Sequence, residues 1–446
     1  MRVELAILAA VVGLAGPVAA QVPARLTLDD AITIARERNP EYQRAVHTLN
    51  AQGAQLRAGW GGFFPSVSAR MSFNGSSSTR VTGEDDFGQP VSLPTPIDFQ
   101  SSSASQSLSA GVTLFDGLRN VNSLRAARAS ADGSEASRDA VANRVDAETT
   151  RRFYEALRTA RLIALEDQLL TSAREQLART QRLFRTAGAT QEDVLGAEGD
   201  VASQELALER ARGEADKARL AVIEYLGISE HMEFEAVGEL PDVWDPAVLD
   251  VDELVSVALR VNPSVRQLEN TTRGADLRAT AERGSRWPSI SVNASYSRSI
   301  SLGSYDALFE INPRNRGLGF GMTVDLPLFT GFQTSARIAN ASLESRNAHE
   351  TLRAGRLQAE REVRAALIDL RNAHRGRDLA QRTADLSSER LRLARQRYAI
   401  GAITFANLQL LIDRAAQEER GLINARFQLA QSIVALEERL GQPVRP

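Results

Sequence analysis

The sequence predicts a mainly helical protein that also carries four β-strands and is built as two copies of one structural unit. Three observations favour this fold class: short motifs occur twice in the same order, long stretches contain almost no proline or glycine, and two pairs of segments alternate between apolar and polar residues. A solenoid repeat spans only roughly 20–50 residues, whereas these motifs recur after more than 200. We therefore interpret the chain as an internal duplication of a half-protein.

The duplication rests on three motifs that recur at a nearly constant displacement. Two motif pairs lie 223 positions apart (40 to 263 and 65 to 288), and the third lies 214 apart (117 to 331). The smaller displacement predicts a loop nine residues shorter in the second copy. The pairs are Asn39-Pro40 with Asn262-Pro263, Phe64-Pro65-Ser66 with Trp287-Pro288-Ser289, and Leu114-Phe115-Asp116-Gly117 with Leu328-Phe329-Thr330-Gly331.

Each copy contains the same predicted elements in the same order. A short helix precedes a second helix that opens at an Asn-Pro pair, where proline suits the first helical position. A strand pair and a long helical hairpin follow. The sequence predicts a signal peptide at 1–20, a first repeat at 21–227, a linker at 228–250 and a second repeat at 251–446. In the first repeat, the β-hairpin is expected at about 66–115 and the helical hairpin at about 117–227. In the second repeat, they are expected at about 289–327 and 331–441.

The start of the chain indicates export. An apolar stretch runs from Leu5 to Leu14, and the small residues Val18-Ala19-Ala20 precede Gln21, which is the pattern of a secretory signal. No later run of about 18 apolar residues offers a membrane-spanning helix. If this chain enters a membrane, we expect it to do so through β-structure.

The helix lengths predict paired rods. The outgoing helix of each hairpin has about 67 residues, which is about 100 Å at 1.5 Å per residue. The returning helix and the helix after the Asn-Pro pair together span roughly 90 Å by the same rise. Apolar residues at sevens in the second hairpin favour coiled-coil-like packing. These residues are Leu379, Leu386, Leu393 and Ile400.

The length and number of the predicted strands decide whether one chain can form a closed membrane barrel. Each alternates over about ten residues, the length of a transmembrane strand at about 9–11, and the serine-rich segments at about 74–107 and 299–317 indicate exposed loops. Four strands cannot close a membrane barrel, because the smallest have about eight. Either the hairpins are soluble and pack on helices, or several chains share one barrel. The export signal and the four matched strands favour the shared barrel.

Taken together, the motifs resemble the outer membrane efflux protein family, the TolC-like channels of Gram-negative bacteria, over nearly the whole mature chain. The openings, strand entries and strand-to-helix corners match in both copies. Arg397-Tyr398, Gly401 and Thr404 match the family's turn at the helix tips. The other matching residues are Leu28, Ala31, Ala35, Asn39, Pro40, Ala258, Asn262 and Pro263 at the openings, with the strand-entry and corner motifs given above.

The resemblance implies a homotrimer whose twelve strands form a barrel in the lipid of the outer membrane, with the helices forming a tunnel across the periplasm. It implies a passive exit duct of a tripartite efflux pump or a type I secretion system, with a periplasmic adaptor and an inner-membrane transporter as partners. The resemblance does not distinguish among a drug, a metal and a protein as the cargo. The second hypothesis is a soluble periplasmic coiled-coil adaptor or scaffold, which would share the long hairpins and the export signal.

The family resemblance also implies two kinds of site at the helix tips. The adaptor would dock at the turns 184–190 and 398–404. Acidic residues near the tips would constrict the pore, although capping of the returning helix by Asp193 is an equal alternative. The docking candidates are Phe184, Ala187, Gly188, Tyr398, Gly401 and Ala402, and the constriction candidates are Asp193, Asn407, Thr190 and Thr404.

The composition argues against other functions. A net charge of −3 does not suggest nucleic-acid binding, and the absence of cysteine excludes disulfides, thiolate metal sites and a cysteine nucleophile. The four histidines are scattered without metal-ligand spacing. No phosphate-binding loop or serine-nucleophile motif occurs, so we expect no catalytic site, cofactor or metal.

Overall fold

A computed structural model describes residues 25–84, 87, 89–186, 188–228, 233–241 and 244–444. The predicted signal peptide and the docking candidate Ala187 lie outside this described part, as does His231. Contacts divide the chain into two compact units. The first contains the chain up to Gln43 together with Val141–Leu254 and Glu362–Pro446, and the second contains Arg44–Ala140 and Val255–Arg361. Each unit therefore draws on both halves of the sequence.

The predicted helices and strands are present in the expected order. The helices are α1 (Leu28–Arg38), α2 (Pro40–Gly61), α3 (Arg119–Arg185), α4 (Gln191–Tyr225), α5 (Val251–Val261), α6 (Pro263–Gly284), α7 (Gln333–Ala399) and α8 (Phe405–Leu440). The strands are β1 (Arg25–Leu26), β2 (Ser66–Glu84), β3 (Pro90–Phe115), β4 (Glu235–Ala236), β5 (Ser289–Leu302) and β6 (Asn315–Asp325). Both outgoing helices have the expected 67 residues.

The Asn-Pro motif is explained by capping. The buried Asn39 side chain accepts from the Glu41 N–H at 2.8 Å. Pro40 suits the first helical position because proline has no backbone N–H that would need an acceptor there. The Asn39 amide also donates to the Tyr225 carbonyl at 2.7 Å, so one side chain starts α2 and closes the end of α4. In the second half, Asn262 accepts from the Ser264 N–H at 2.8 Å.

The first unit has a hydrophobic core built from helix faces. Phe153 and Leu157 of α3 pack there with Val222 of α4 and Phe427 of α8. Leu26 joins them from β1, which pairs in parallel with β4 in the linker segment. The predicted linker is therefore partly built into this unit, through β4 and a short 3₁₀ turn at Pro246–Val248.

The second unit contains a four-stranded antiparallel sheet in the order β2-β3-β5-β6. The two hairpins join through β3 and β5, which leaves β2 and β6 at the edges. The expectation of ten-residue strands with a loop at 74–107 is wrong for the first hairpin. Its strands have 19 and 26 residues, and only a short connection remains between Glu84 and Pro90.

Serine pairing accounts for the longer hairpin. Hydroxyl groups of serines on opposite strands bond to each other at 2.7 Å between Ser72 and Ser105 and at 2.8 Å between Ser76 and Ser101. Cross-strand hydroxyl pairs of this kind stabilise a sheet. A serine-rich segment can therefore stay extended although its composition is typical of a loop.

The strand-to-helix corner of the first half needs glycine. Gly117 has φ +69°, and a Cβ on it would lie 2.3 Å from the Gly284 carbonyl oxygen. The reverse also holds, because a Cβ on Gly284 would lie 2.6 Å from the Gly117 carbonyl oxygen. The last turn of α6 thus packs backbone to backbone against the corner between β3 and α3. A side chain at either position would force the two apart.

Among the described residues, no helix combines the length and the apolar character needed to cross a membrane.

Candidate functional site at the helix tips

The first tip is the turn between α3 and α4. The Gly188 N–H donates to the Leu183 carbonyl at 2.8 Å and closes the end of α3. Thr190 then caps α4, because its hydroxyl accepts from the Asp193 N–H at 3.2 Å. The Asp193 carboxylate accepts in return from the Thr190 N–H and hydroxyl, both at 2.9 Å. This reciprocal arrangement is a capping box. The capping role that the sequence offered for Asp193 is therefore present.

The second tip is the turn between α7 and α8. Gly401 has φ +73°, a left-handed conformation that glycine adopts at little cost. Its N–H donates to the Tyr398 carbonyl at 3.0 Å, and the Ala402 N–H donates to the Arg397 carbonyl at 2.9 Å. Together these two bonds form a Schellman motif, which satisfies the last carbonyls of α7.

The two tips begin their returning helices differently. Thr404 accepts from the Asn407 N–H at 3.3 Å, as Thr190 does from Asp193. The described residues show no reciprocal bond from the Asn407 side chain, which is exposed. The first tip thus carries a charged capping box and the second a neutral single cap. The difference follows from the residue types, because the first copy has Asp193 where the second has Asn407.

Aromatic packing connects the second tip to the first. The rings of Tyr398 and Phe405 lie 6.1 Å apart at 60°. Phe405 is buried, and a Cβ on Gly196 of α4 would come within 3.2 Å of its ring. Burial raises the pKa of the Tyr398 phenol, and the Asp193 carboxylate raises it further. The predicted site residues Tyr398 and Asp193 are therefore neighbours.

Other side chains at the turns are apolar and exposed. Phe184 is exposed at the end of α3, and Ile400 is 81% exposed beside Gly401. Leu410 of α8 is also exposed. Both turns therefore present apolar surface as well as polar caps.

A pair of carboxylates lies farther along the returning helices. Burial raises the pKa of Asp200 on α4 to about 6, and the nearby Asp413 carboxylate on α8 adds to the rise. The Gln409 amide donates to Asp413 at 3.2 Å. Sequence analysis missed this pair. The available signal was that Asp200 follows Asp193 by seven residues, or two helical turns, and so lies on the same face of α4.

A buried ion pair joins α3 to α8 in the same unit. Arg420 donates to both oxygens of Glu166 at 2.6 and 2.7 Å, and the Glu166 side chain is only 6% exposed. The Glu166 carboxylate raises the pKa of the Arg420 guanidinium. Bidentate geometry of this kind fixes both side chains. Among the described residues, no group of three or more potential metal ligands converges.

The sequence of this chain matches a known protein family. The family model described as outer membrane efflux protein matches residues 31–228 and 254–442, which is most of the chain. The protein belongs to the outer membrane efflux protein family. The resemblance predicted from the sequence is therefore confirmed, as is the outer-membrane location. Membership favours the exit channel over the soluble adaptor. The family is one of transport channels rather than enzymes.

Individual relatives are distant in sequence but similar in fold. The chain is 23% identical to protein CyaE of Bordetella pertussis over 362 residues, covering 80% of this chain and 72% of CyaE. Among solved structures, CusC aligns with a TM-score of 0.76 at 18% identity, covering 93% of this chain and 92% of CusC. The CmeC outer membrane channel of Campylobacter jejuni aligns with a TM-score of 0.75 at 16% identity, covering 93% and 85%.

Proposed function

We propose that three copies of this chain share one twelve-stranded barrel in the outer membrane and form the passive exit duct of a tripartite efflux pump or a type I secretion system. The observation that carries this proposal is the four-stranded sheet of β2, β3, β5 and β6. One face of that sheet is apolar and exposed, the other is polar, and both of its edges are open.

The exposed apolar face suits lipid. Rows of apolar residues run across the paired strands, such as Ala110 with Ala294 and Phe320, and Val112 with Val292 and Met322. Phe320 is 84% exposed. A soluble protein rarely leaves so large an apolar surface uncovered. Outward-facing apolar residues on alternate positions are the pattern of a membrane barrel.

The opposite face suits water. It consists mainly of small neutral residues, such as Ser109 paired with Ser295 and Gly111 paired with Asn293. A barrel formed from this sheet would place the hydroxyl-rich face inside, as in water-filled channels. Arg70 of β2 and Asp325 of β6 are charged exceptions on this face. A lining with so few charged side chains would carry little charge with which to select cargo.

The open edges require more strands. Within the described residues, β2 pairs only with β3, and β6 pairs only with β5. Unpaired backbone groups cannot face lipid, so β2 of one copy must pair with β6 of another. Three copies of four strands give twelve, which is within the known range of bacterial barrels.

An uncovered helix face also favours association. Exposed apolar residues follow one another on α7 and just beyond its end at intervals of eleven or seven residues: Ile368, Leu379, Leu386 and Leu393, then Ile400. Intervals of seven and eleven keep side chains on one face of a helix. The chain thus carries an apolar stripe along α7 that another helix can cover. We assign the cover to a helix of a neighbouring copy.

The tip turns are the proposed docking sites of the adaptor, and the inner-membrane transporter supplies the energy. Support comes from the exposed Phe184 and Ile400, which offer apolar anchors on both turns. Exposed aromatic and aliphatic side chains of this kind anchor interfaces. The cargo, whether drug, protein or metal, is set by those partners.

Cysteine cross-linking tests the barrel, because the natural chain has no cysteine. One cysteine is placed on the β2 edge at Ser72, and a second on the β6 edge at Gly319, Gly321 or Thr323 in turn. Outer-membrane fractions are then oxidised and separated in denaturant. We expect a covalent trimer for at least one register.

Two controls sharpen the result. The single Ser72→Cys variant can give no species larger than a dimer. The pair Ser68→Cys and Ser109→Cys, whose hydroxyls lie 2.8 Å apart in one chain, should close within the monomer. Monomers at every register, or recovery of the protein only in the soluble fraction, would refute the shared barrel.

A further inference from the structure

Two arginines face each other across the outer part of the second β-hairpin. Arg298 on β5 pairs directly with Arg316 on β6 in the antiparallel register. Both lie near the strand ends that are remote from the helices, because β5 begins after α6 and β6 leads into α7. Side chains directly opposite on antiparallel strands have Cβ atoms about 4.5–5.5 Å apart.

Both arginines lie on the apolar face of the sheet. Strand side chains alternate between faces, and Arg298 follows Tyr296 by two residues while Arg316 precedes Leu318 by two. Tyr296 and Leu318 are themselves paired and exposed. The arginine pair therefore lies one row beyond Tyr296 and Leu318 on the same face, and the row after it, Phe73, Ala104 and Ile300, is buried or half-buried. Gln106 of β3 completes the row beside Arg298.

The sheet gives this pair no counter-charge. Two like charges directly opposite on a sheet destabilise it, so a nearby carboxylate would be expected. In the described part of the chain, neither guanidinium forms an ion pair with a carboxylate. Arg298 donates only to the neutral Asn312 side chain, and its Nε is buried without an acceptor.

Apolar side chains flank the pair. The connection between β5 and β6 packs against this face, where the Gln106 amide donates to the Ile311 carbonyl at 2.5 Å. Ile311 and Phe309 remain largely exposed beside the arginines, and Leu318 and Phe320 continue the apolar surface along β6. Two positive charges with apolar neighbours suit an amphiphile that has an anionic head and hydrocarbon chains.

We propose that Arg298 and Arg316 bind a phosphate group of the phosphorylated glycolipid in the outer leaflet of the outer membrane. This inference rests on the proposed barrel, in which the strand ends remote from the helices lie at the outer surface. Guanidinium groups match phosphate oxygens in bidentate geometry. The phosphate supplies the missing counter-charge, and the acyl chains lie along Leu318 and Phe320, which continue this face from the arginines towards the helices.

Lipid binding to the purified full-length protein tests the site. Binding of lipopolysaccharide and, separately, of phosphatidylglycerol is measured by native mass spectrometry for the natural protein, for Arg298→Gln with Arg316→Gln, and for Arg70→Gln. Arg70 is the matched control, because it pairs with Ser107 on the polar face of the same sheet. We expect the double variant to bind lipopolysaccharide at least tenfold more weakly, and the control to bind it normally.

The remaining outcomes separate this inference from the proposed function. Unchanged lipopolysaccharide binding in a double variant that native mass spectrometry shows to be a trimer would overturn the lipid site alone. Loss of phosphatidylglycerol binding with lipopolysaccharide binding retained would overturn the assignment to the glycolipid. Failure of the paired cysteine variants at Ser72 and the β6 edge to give a covalent trimer at any register would remove the barrel on which the site depends.

Discussion

At the residue scale, Asp193 has two roles to separate. Its carboxylate completes the capping box with Thr190, and it lies close to Tyr398. We predict that Asp193→Ala changes single-channel conductance or cation selectivity, because it removes a negative charge near the tip. Loss of a cap also costs about 1 kcal/mol of stability. Conductance of the purified protein in planar bilayers is the measurement.

Thr190→Ala is the matched control for Asp193. It removes the capping hydroxyl but keeps the carboxylate, so it should lower stability without changing selectivity. Wild-type conductance and selectivity in Asp193→Ala would remove this residue from the pore constriction and leave only the capping role.

Asp200 predicts a pH dependence of stability. Its pKa in the folded protein is about 6 against an ordinary 3.8, because burial and Asp413 disfavour the charged form. The folded state therefore holds its proton more tightly, and stability should rise as pH falls from above 6 towards 4. Asp200→Asn removes the charge, so we expect it to be more stable than the natural protein at pH 7.

Thermal unfolding of the two proteins across this pH range is the measurement. The stability difference should shrink as pH falls below 6 and approach zero only below about pH 4, where Asp200 becomes protonated in the unfolded state as well. Asp216→Asn on the same helix is the control, because Asp216 is exposed. A constant difference from pH 4 to 7 would contradict the raised pKa.

At the element scale, the pair of Glu166 and Arg420 holds α3 against α8. We predict that Arg420→Met destabilises the protein by about 3–5 kcal/mol, because it leaves a buried carboxylate without a partner. Thermal or denaturant unfolding checks the loss. The matched exposed pair is Glu389 with Arg392, and Arg392→Met should change stability little, because solvent screens an exposed ion pair. Equal losses in the two variants would refute the special role of the buried pair.

The stripe on α7 predicts the effect of a charge on assembly. Leu386→Glu should weaken the trimer, because it places a carboxylate in the apolar seam that we assign to a neighbouring copy. Leu386 is 65% exposed in the single chain, so the variant should still fold. Ser388→Glu lies about 200° away around the helix and should assemble normally. Native mass spectrometry distinguishes trimer from monomer, and a stable Leu386→Glu trimer would contradict this use of the stripe.

Helices were more predictable than strands for a physical reason. The 67-residue helices follow from stretches without proline, and local backbone preference decides them. The first hairpin depends instead on pairs such as Ser72 with Ser105, which become neighbours only after the sheet forms. Composition cannot distinguish such a ladder from a loop. For this reason the full length of β2 and β3 was not predicted from the sequence.

The same distinction applies at the helix tips. The caps of Thr190 and Thr404 could be predicted, because each bonds to a residue three positions along the same helix. Asp200 and Asp413 come from different helices 213 residues apart (200 to 413), and only the packing of α4 beside α8 brings them together. The seven-residue spacing on α4 could place Asp200 on the same face as Asp193, but it could not reveal Asp413 as its partner.

At the scale of the whole molecule, the duplicated sequence predicts the stoichiometry of the assembly. Three chains with two similar copies each would present six similar hairpins to their partners. We therefore expect six adaptor chains for each trimer. The mass of the assembled complex checks this, and a complex that excludes six adaptors would contradict it. The differences between Asp193 and Asn407 should make alternate adaptor sites distinguishable in affinity.

The serine and glycine face of the sheet has a consequence for how such proteins diversify. In the proposed barrel, a lining with so few charged side chains would place little demand on the shape or charge of the solute that passes it. New solutes could then be accommodated by exchanging the associated proteins while this chain stays unchanged. Selection would act on the lining mainly to keep its side chains small, and on the tips to keep them compatible with new associates.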